Sequence, residues 1–410
     1  MKELDINYVR SLFPAFSENE LRGNAFFENA GGSYTSCFVI DRLTRFYKSR
    51  KVQPYGFYNA SELGGAEMDE ARNRLAELMN IDPSCLSFGP STSQNTYVIA
   101  QAFSQFYQEN DAIIVTDQDH EANSGVWRRL ESFGFEIREW KLNPDTGLLD
   151  IENLEKILDS NVRLVSFPHC SNIIGSPNNA KEICKIIKEV GAFACVDGVS
   201  YAPHGLPNIK DIGADIYLFS SYKTYGPHLG IMYLSKEISD YLPNQGHYFN
   251  SGNPTLKFTP AGPDHAQIAA AAGMADYIDA LYAHHYNEET EPSNRADLVH
   301  DLKRNYEKEL LKPLLDFLSN RNDLRLLGPR DQNLKVPTIA LDVGGKARKY
   351  AKALGEEGIM VGAGDFYAVR TLKSLGVDPN NGVLRLSFVH YTNKEEVNKL
   401  LSSLENILGS

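Results

Sequence analysis

Short apolar runs alternate with helix-period segments from Met68 to Phe219, and this alternation constrains the fold more than any other feature of the chain. Met68, Ala71, Leu75 and Leu78 recur at three- and four-residue steps, the stripe of an amphipathic helix, with Gly64-Gly65 read as a turn before it. Leu86-Ser87-Phe88 predicts a short strand, the turn-rich Gly89-Pro90-Ser91-Thr92-Ser93 follows, and a helix-like stretch runs on through Tyr107. Further strands are expected at Ala112–Thr116, Phe135–Trp140, Val162–Phe167, Ala192–Val196 and Asp215–Phe219. Helices are expected between them at Ser124–Phe133, Asn153–Leu158 and Asn179–Val190. Such a succession builds right-handed βαβ units on a mostly parallel sheet flanked by helices, an α/β fold. In these sheets ligands sit beyond the carboxyl ends of the strands.

Near residue 290 the pattern changes. Leu298, Leu302, Tyr306, Leu310 and Leu314 mark a long helix, strands are expected at Val336–Val343 and Val383–Tyr391, and a helix carrying Val397, Leu400, Leu401, Leu404 and Leu408 closes the chain. Thr392 and Glu395 fit a capping box for that last helix. The expected organisation is a large α/β domain over 21–285 and a smaller α+β C-terminal domain over 286–410, with the N-terminal segment 1–20 packing on the smaller one.

Composition removes several classes of function. Lys+Arg 41 against Asp+Glu 53 leaves a net charge of −12, the opposite of a nucleic-acid-binding footprint. No run approaches the ~18 uninterrupted apolar residues of a membrane span. Met1-Lys2-Glu3-Leu4-Asp5 is too polar and acidic to open a secretory signal, so a cytoplasmic location is expected. Five scattered cysteines (Cys37, Cys85, Cys170, Cys184, Cys195) form no CxxC pair, which disfavours a disulfide scaffold and a zinc site; no metal is expected.

The strand ends carry the chemistry. Phe193-Ala194-Cys195-Val196 ends in Asp197, followed by Gly198-Val199-Ser200. Ile216-Tyr217-Leu218-Phe219 runs into Ser220-Ser221-Tyr222-Lys223-Thr224-Tyr225-Gly226-Pro227-His228, and Ile114-Val115-Thr116 leads to Asp119-His120. Pyridoxal phosphate asks for this set. Its aldehyde takes a lysine amine, which later moves the substrate Cα proton, and its ring nitrogen needs a carboxylate to stay protonated. A flat side chain such as His120 can cover the ring, and a hydroxyl-rich helix N-terminus such as Ser91-Thr92-Ser93 can hold the phosphate. Each residue also has a plainer reading: Lys223 as a solvated loop lysine, Asp197 as a helix cap, His120 as a structural histidine, Ser91-Thr92-Ser93 as a cap alone. Their joint placement at one sheet mouth favours the cofactor.

The chain resembles the fold-type I pyridoxal-phosphate enzymes of the class V aminotransferase family, nearest the cysteine-desulfurase-like branch. The resemblance rests on Phe27-Glu28-Asn29-Ala30-Gly31-Gly32, Asp119-His120-Glu121-Ala122-Asn123, Ser171-Asn172-Ile173-Ile174-Gly175, Val196-Asp197-Gly198, the segment from Ser220 to Gly230, and Arg385. It implies Lys223 on the aldehyde, Asp197 on the ring nitrogen, His120 on the ring face and Asn172 beside cofactor and substrate carboxylate. It further implies Ser200 near the ring hydroxyl, Ser91, Thr92, Ser220 and Tyr222 at the phosphate, and Arg385 on the substrate carboxylate. The partners implied are an amino-acid substrate and a second copy of the chain, as a homodimer.

The departures bear on the reaction. Cysteine desulfurases carry a nucleophilic cysteine on a loop before the last strands; here that region reads Val361-Gly362-Ala363-Gly364-Asp365-Phe366-Tyr367-Ala368-Val369-Arg370, with Tyr367 about where the cysteine falls. Tyr222 replaces the histidine those enzymes have before the lysine. The family's Gly-Thr-Pro-Asn segment is blurred into Thr259-Pro260-Ala261-Gly262-Pro263-Asp264-His265, so a role for Thr259 at a partner's phosphate stays open. The expected reaction is C–S cleavage on an amino acid without a persulfide cysteine. Transamination or epimerisation is the alternative, and a non-catalytic binding protein on the same scaffold is more remote. Tyr367 or Asp365 is a candidate second acid on the opposite face.

Overall fold

The computed structural model describes residues 2–106 and 108–409, so the expected end of a helix at Tyr107 lies outside the described residues. The first strands along the chain are β1 (Ala25–Phe26), β2 (Leu86–Gly89), β3 (Ala112–Thr116), β4 (Glu136–Trp140), β5 (Val162–Pro168), β6 (Phe193–Asp197), β7 (Ile216–Ser220) and β8 (Gly230–Leu234). All but β1 form one seven-stranded sheet in the order β2-β8-β7-β6-β5-β3-β4. Strands β3 to β7 pair in parallel, and only β8 runs against its neighbours β7 and β2. Covered by helices on both faces, β3 and β7 are buried at every position, which is why they read as continuous apolar runs. Strand β8 has a simple cause: residues 221–229 are too few for the crossover of about a dozen residues that a parallel return needs. That short connection carries Lys223.

The later strands are β9 (Arg325–Leu326), β10 (Thr338–Asp342), β11 (Ile359–Met360), β12 (Gly362–Gly364) and β13 (Val383–Ser387). An antiparallel sheet runs β12-β13-β10-β9, while β1 pairs with β11 in parallel. Val9 and Phe13 of the N-terminal segment share an apolar cluster with Leu302, Leu310, Leu384, Leu386 and Leu400. Gly362 lies directly opposite Arg385 across the β12–β13 pair.

Two local expectations are corrected. Gly64-Gly65 is not a turn but lies inside the helix Asn59–Leu78. A Cβ on Gly65 would stand 2.7 Å from the Tyr55 ring, so that glycine lets its neighbour approach the helix, whereas one on Gly64 would make ordinary contact, 3.7 Å from the Phe46 ring. The last helix, Lys394–Leu408, is capped one residue later than expected. The Asn393 side chain accepts from the Glu396 amide at 2.8 Å, and the Asn393 amide donates to the Glu396 carboxylate at 2.9 Å. Arg10 fixes that register by pairing with Glu396 at 2.9 Å. Thr392 is instead used upstream, its carbonyl accepting from the Tyr306 hydroxyl at 3.1 Å.

Candidate active site

At the carboxyl ends of the parallel strands lies a small, partly open cavity. Thr92, His120, Asn172, Asp197, Ser200, Ser220, Tyr222 and Lys223 all line it, delivered by four different strand ends and the N-terminus of the helix Thr92–Phe103. Ser91 and Arg385 stand outside this lining. Ser91 spends its hydroxyl on the Gln94 amide, 3.2 Å away, as the helix cap. Ser93, Thr96, Asn123 and Cys170 line the cavity as well. Sequence reasoning left Ser93 out of its assignments although it belongs to the same hydroxyl run; being past the cap, it is free to face the cavity.

The electrostatics are those of a site short of charge partners. Burial and the nearby Arg385 guanidinium pull the Lys223 ammonium down to about 8, against the opposing pull of Asp197 and Glu28. A lysine held there has a large neutral fraction at mildly alkaline pH, as a base needs. The Asp197 carboxylate is buried and accepts one backbone bond, from Val199 at 2.9 Å. Burial pushes it up to about 6, and it has no ion pair among the described residues. Such a carboxylate fits a cationic ring nitrogen.

His120 caps the helix Glu121–Arg128, its Nδ1 accepting from the Ala122 amide at 3.0 Å. The proton of the neutral ring is therefore on Nε2. Burial, Lys223 and Arg385 lower it to about 4, so the ring is uncharged at neutral pH. Beneath it the Asp119 carboxyl accepts from Thr116 (2.9 Å) and Asn123 (3.1 Å), which fixes the entry to that helix.

At the other end of the cavity the Thr92 and Ser220 hydroxyls meet at 2.8 Å, beside the first amides of the helix Thr92–Phe103. The Tyr222 ring stacks on His228 with centroids 4.7 Å apart. These hydroxyls and amides suit a phosphate.

The segment after β12 lies outside the lining but packs against two residues of it, Asn172 and His120. Asn172 donates to the Phe366 carbonyl at 3.0 Å, while its Oδ1 is buried without a partner. The Arg385 guanidinium lies 3.7 Å over the Phe366 ring and donates to the Asn172 carbonyl at 3.3 Å. Phe366 (φ 51°) and Tyr367 (φ 56°) both hold left-handed backbone, costly for large side chains. The Tyr367 carbonyl accepts from the Glu121 amide at 2.8 Å, tying the segment to the His120 helix. The Tyr367 ring itself is 71 % exposed, 5.3 Å from the His120 ring centroid. Thr259 borders a separate cavity with Gly89, Gln94 and His228.

An uncommitted lysine, an unpaired buried carboxylate, a neutral imidazole and a hydroxyl-bearing helix start around one cavity fit pyridoxal phosphate. The fold that presents them is that of a fold-type I pyridoxal-phosphate enzyme. The family Aminotransferase class-V matches residues 25–289 and 295–400, and the chain belongs to it. Pyridoxal 5′-phosphate is the cofactor of that family, and this protein is a pyridoxal-phosphate-dependent enzyme of the class V aminotransferase and cysteine-desulfurase-like group. It is 32% identical to the aminotransferase-like protein FGM3 of Gibberella zeae, covering 98% of both chains. It is 26% identical to a cysteine desulfurase of Pectobacterium atrosepticum over 99% of both. In fold it is similar to the apo cysteine desulfurase of Thermococcus onnurineus NA1, with a TM-score of 0.86 over 100% of this chain and 99% of that one at 23% identity. Among the described residues no helix is long and apolar enough to cross a membrane, and no group of three His, Cys, Asp or Glu is placed to hold a metal.

Proposed function

We propose that this enzyme cleaves the C–S bond of an amino-acid substrate by β-elimination, with Lys223 as the base at Cα and no cysteine persulfide. When bound, the cofactor supplies an aldehyde that takes the substrate amino group and a ring that draws the electron pair off Cα. The protein does the rest. Arg385 and Asn172 hold the substrate carboxylate, Lys223 takes the Cα proton, Asp197 keeps positive charge on the ring nitrogen, and neutral His120 covers the ring face. Thr92, Ser220, Tyr222 and the helix amides anchor the phosphate, with Ser93 beside them and Ser200 nearer the ring. Loss of the Cα proton and of thiolate from Cβ, followed by hydrolysis, converts substrate and water into pyruvate, ammonia and a thiol.

The observation that carries the reading is the state of the thiols. No cysteine follows Cys195. Cys170, the one cysteine lining the cavity, is buried and pushed up to about 12, so it offers no thiolate to accept sulfur. Elimination needs none, and it needs no second acid on the opposite face, so Tyr367 and Asp365 are given no chemical role. The relatives named cysteine desulfurase support sulfur chemistry. Transamination is the second reading, supported by the aminotransferase-like name of the 32% identical relative. The test is mass spectrometry of the protein and its products during turnover of cysteine itself. Pyruvate and sulfide with no sulfur added to any of the five cysteines support elimination, and alanine together with a persulfide on the chain refutes it.

The homodimer belongs to the same proposal. Phe57, Tyr58, Tyr97, Tyr248 and Phe249 are exposed aromatics. They come from segments that flank the cavities bordered by Thr259, a surface suited to a second copy.

A further inference from the structure

Arg385 is already holding a carboxylate. Its side chain is buried, and its one ion-pair partner among the described residues is Glu28, with Nη2 to Oε1 at 2.8 Å. Glu28 comes from the segment after β1 and is aimed by its neighbours. The Ala30 amide donates to the Ser387 hydroxyl at 2.9 Å, and the Asn29 amide donates to the Ser387 carbonyl at 3.2 Å. Two glycines make the space. A Cβ on Gly362 would stand 2.1 Å from Glu28 Oε2 and 2.7 Å from its Cδ, and one on Gly31 would stand 3.0 Å from Oε1. The carboxylate therefore sits in a notch that any side chain at 362 would close.

The pair is incomplete on both sides. Glu28 Oε2 and Arg385 Nε are each buried without a hydrogen-bond partner. A guanidinium binds a carboxylate best through two parallel bonds. Glu28 makes one, so a carboxylate free to approach in the paired geometry can displace it.

We propose that Glu28 is a specificity-determining residue that occupies the substrate-carboxylate position on Arg385 in the free enzyme, so that a substrate must compete with it. This rests on the reading that Arg385 binds the substrate carboxylate. Small acids that offer only a carboxylate bind weakly, and a substrate gains affinity through contacts made by the rest of the molecule. Glu28 restrains binding rather than aiding it, which sets the sign of the test.

The probe is lactate, which has the carboxylate but no amine to react, titrated against the holoenzyme and followed by the visible cofactor band. Glu28→Gln keeps the size of the side chain and removes its charge; Glu28→Ala removes the competing side chain altogether and leaves the notch at Gly362 open. Both are expected to bind lactate about tenfold more tightly or better, the order of one charge-assisted hydrogen bond lost by the competitor. Arg385→Lys is expected to weaken lactate. A residue that merely props up the site would not produce a gain. If Glu28→Gln and Glu28→Ala bind lactate no better than the parent while Arg385→Lys binds it worse, the competition is refuted and the role of Arg385 stands. If Arg385→Lys leaves lactate affinity unchanged, the carboxylate role of Arg385 fails and the inference fails with it. An unaltered melting midpoint and cofactor band in each variant establish that it is folded.

Discussion

Asp197→Asn is expected to stabilise the cofactor-free protein and to weaken the loaded one. In the free cavity the Asp197 carboxyl is pushed from its ordinary 3.8 to about 6 by burial, with the attraction of Lys223 already included. A carboxyl whose folded value lies above its unfolded value holds its proton more firmly in the folded state. Stability therefore falls as pH rises from about 4 to about 6, and the cost is complete above that. The gap of about two pH units, at 1.36 kcal/mol each, is about 3 kcal/mol at pH 7. Asparagine keeps an oxygen for the Val199 amide, now 2.9 Å from Asp197, and carries no charge to bury. With an unfolding entropy of about 2.1 cal/mol/K per residue, a chain of 410 residues gains roughly 3 °C in melting midpoint. The assay is scanning calorimetry of both apoproteins at pH 7.5 and pH 4.5. The variant is expected to lead at pH 7.5, and the lead should shrink at pH 4.5, where the native carboxyl is already protonated. With cofactor bound the order reverses, because the ring nitrogen loses its counter-charge. An apo variant no more stable at pH 7.5, or a lead independent of pH, would refute the reading of Asp197 as a carboxylate kept for a cation.

Lys223→Ala is expected to abolish the absorption band of the lysine-bound cofactor and to lower turnover by at least about 10²-fold, the usual contribution of a positioned base; a spectrum against that of the parent decides it. Thr92→Val or Ser220→Ala leaves one hydroxyl of the 2.8 Å pair without its partner, and equilibrium dialysis should find cofactor affinity reduced by about 1 kcal/mol, or fivefold. His120, with its folded value at about 4 below the ordinary 6.5, favours the neutral form on folding, so its contribution to stability is lost as pH falls from 6.5 through 4; His120→Phe should flatten that acid limb of the melting profile. Tyr367→Gly relieves a left-handed residue and should raise stability by about 1 kcal/mol in a denaturant titration, whereas Tyr367→Phe should leave turnover unchanged.

The sheet and its mouth were legible because they rest on local signals. β3, β5, β6 and β7 are short apolar runs buried on both faces, and Asp197 and the Ser220–Lys223 segment follow directly from their ends. What escaped depends on packing at a distance. The helix His265–His285 has no apolar stripe because alanines bury nearly all its faces; a Cβ on Gly273 would stand 2.6 Å from the Val39 amide nitrogen, which shows how closely the helix Cys37–Ser49 approaches. Gly65 looked like punctuation for the same reason. Ser91 and Ser93 are indistinguishable in a run of hydroxyls until the helix start assigns one to the cap. The Glu28–Arg385 pair joins residues 357 positions apart, and nothing in the local sequence of either announces the other.

The most direct test of the whole account is the absorption spectrum of the purified holoenzyme during incubation with cysteine and its S-conjugates, read together with the products. The account expects the visible band to survive while pyruvate and thiol, or sulfide from cysteine itself, accumulate over many turnovers. Stoichiometric conversion of the band to the amine form of the cofactor, with keto acid retaining its sulfur, would contradict it and identify a transaminase.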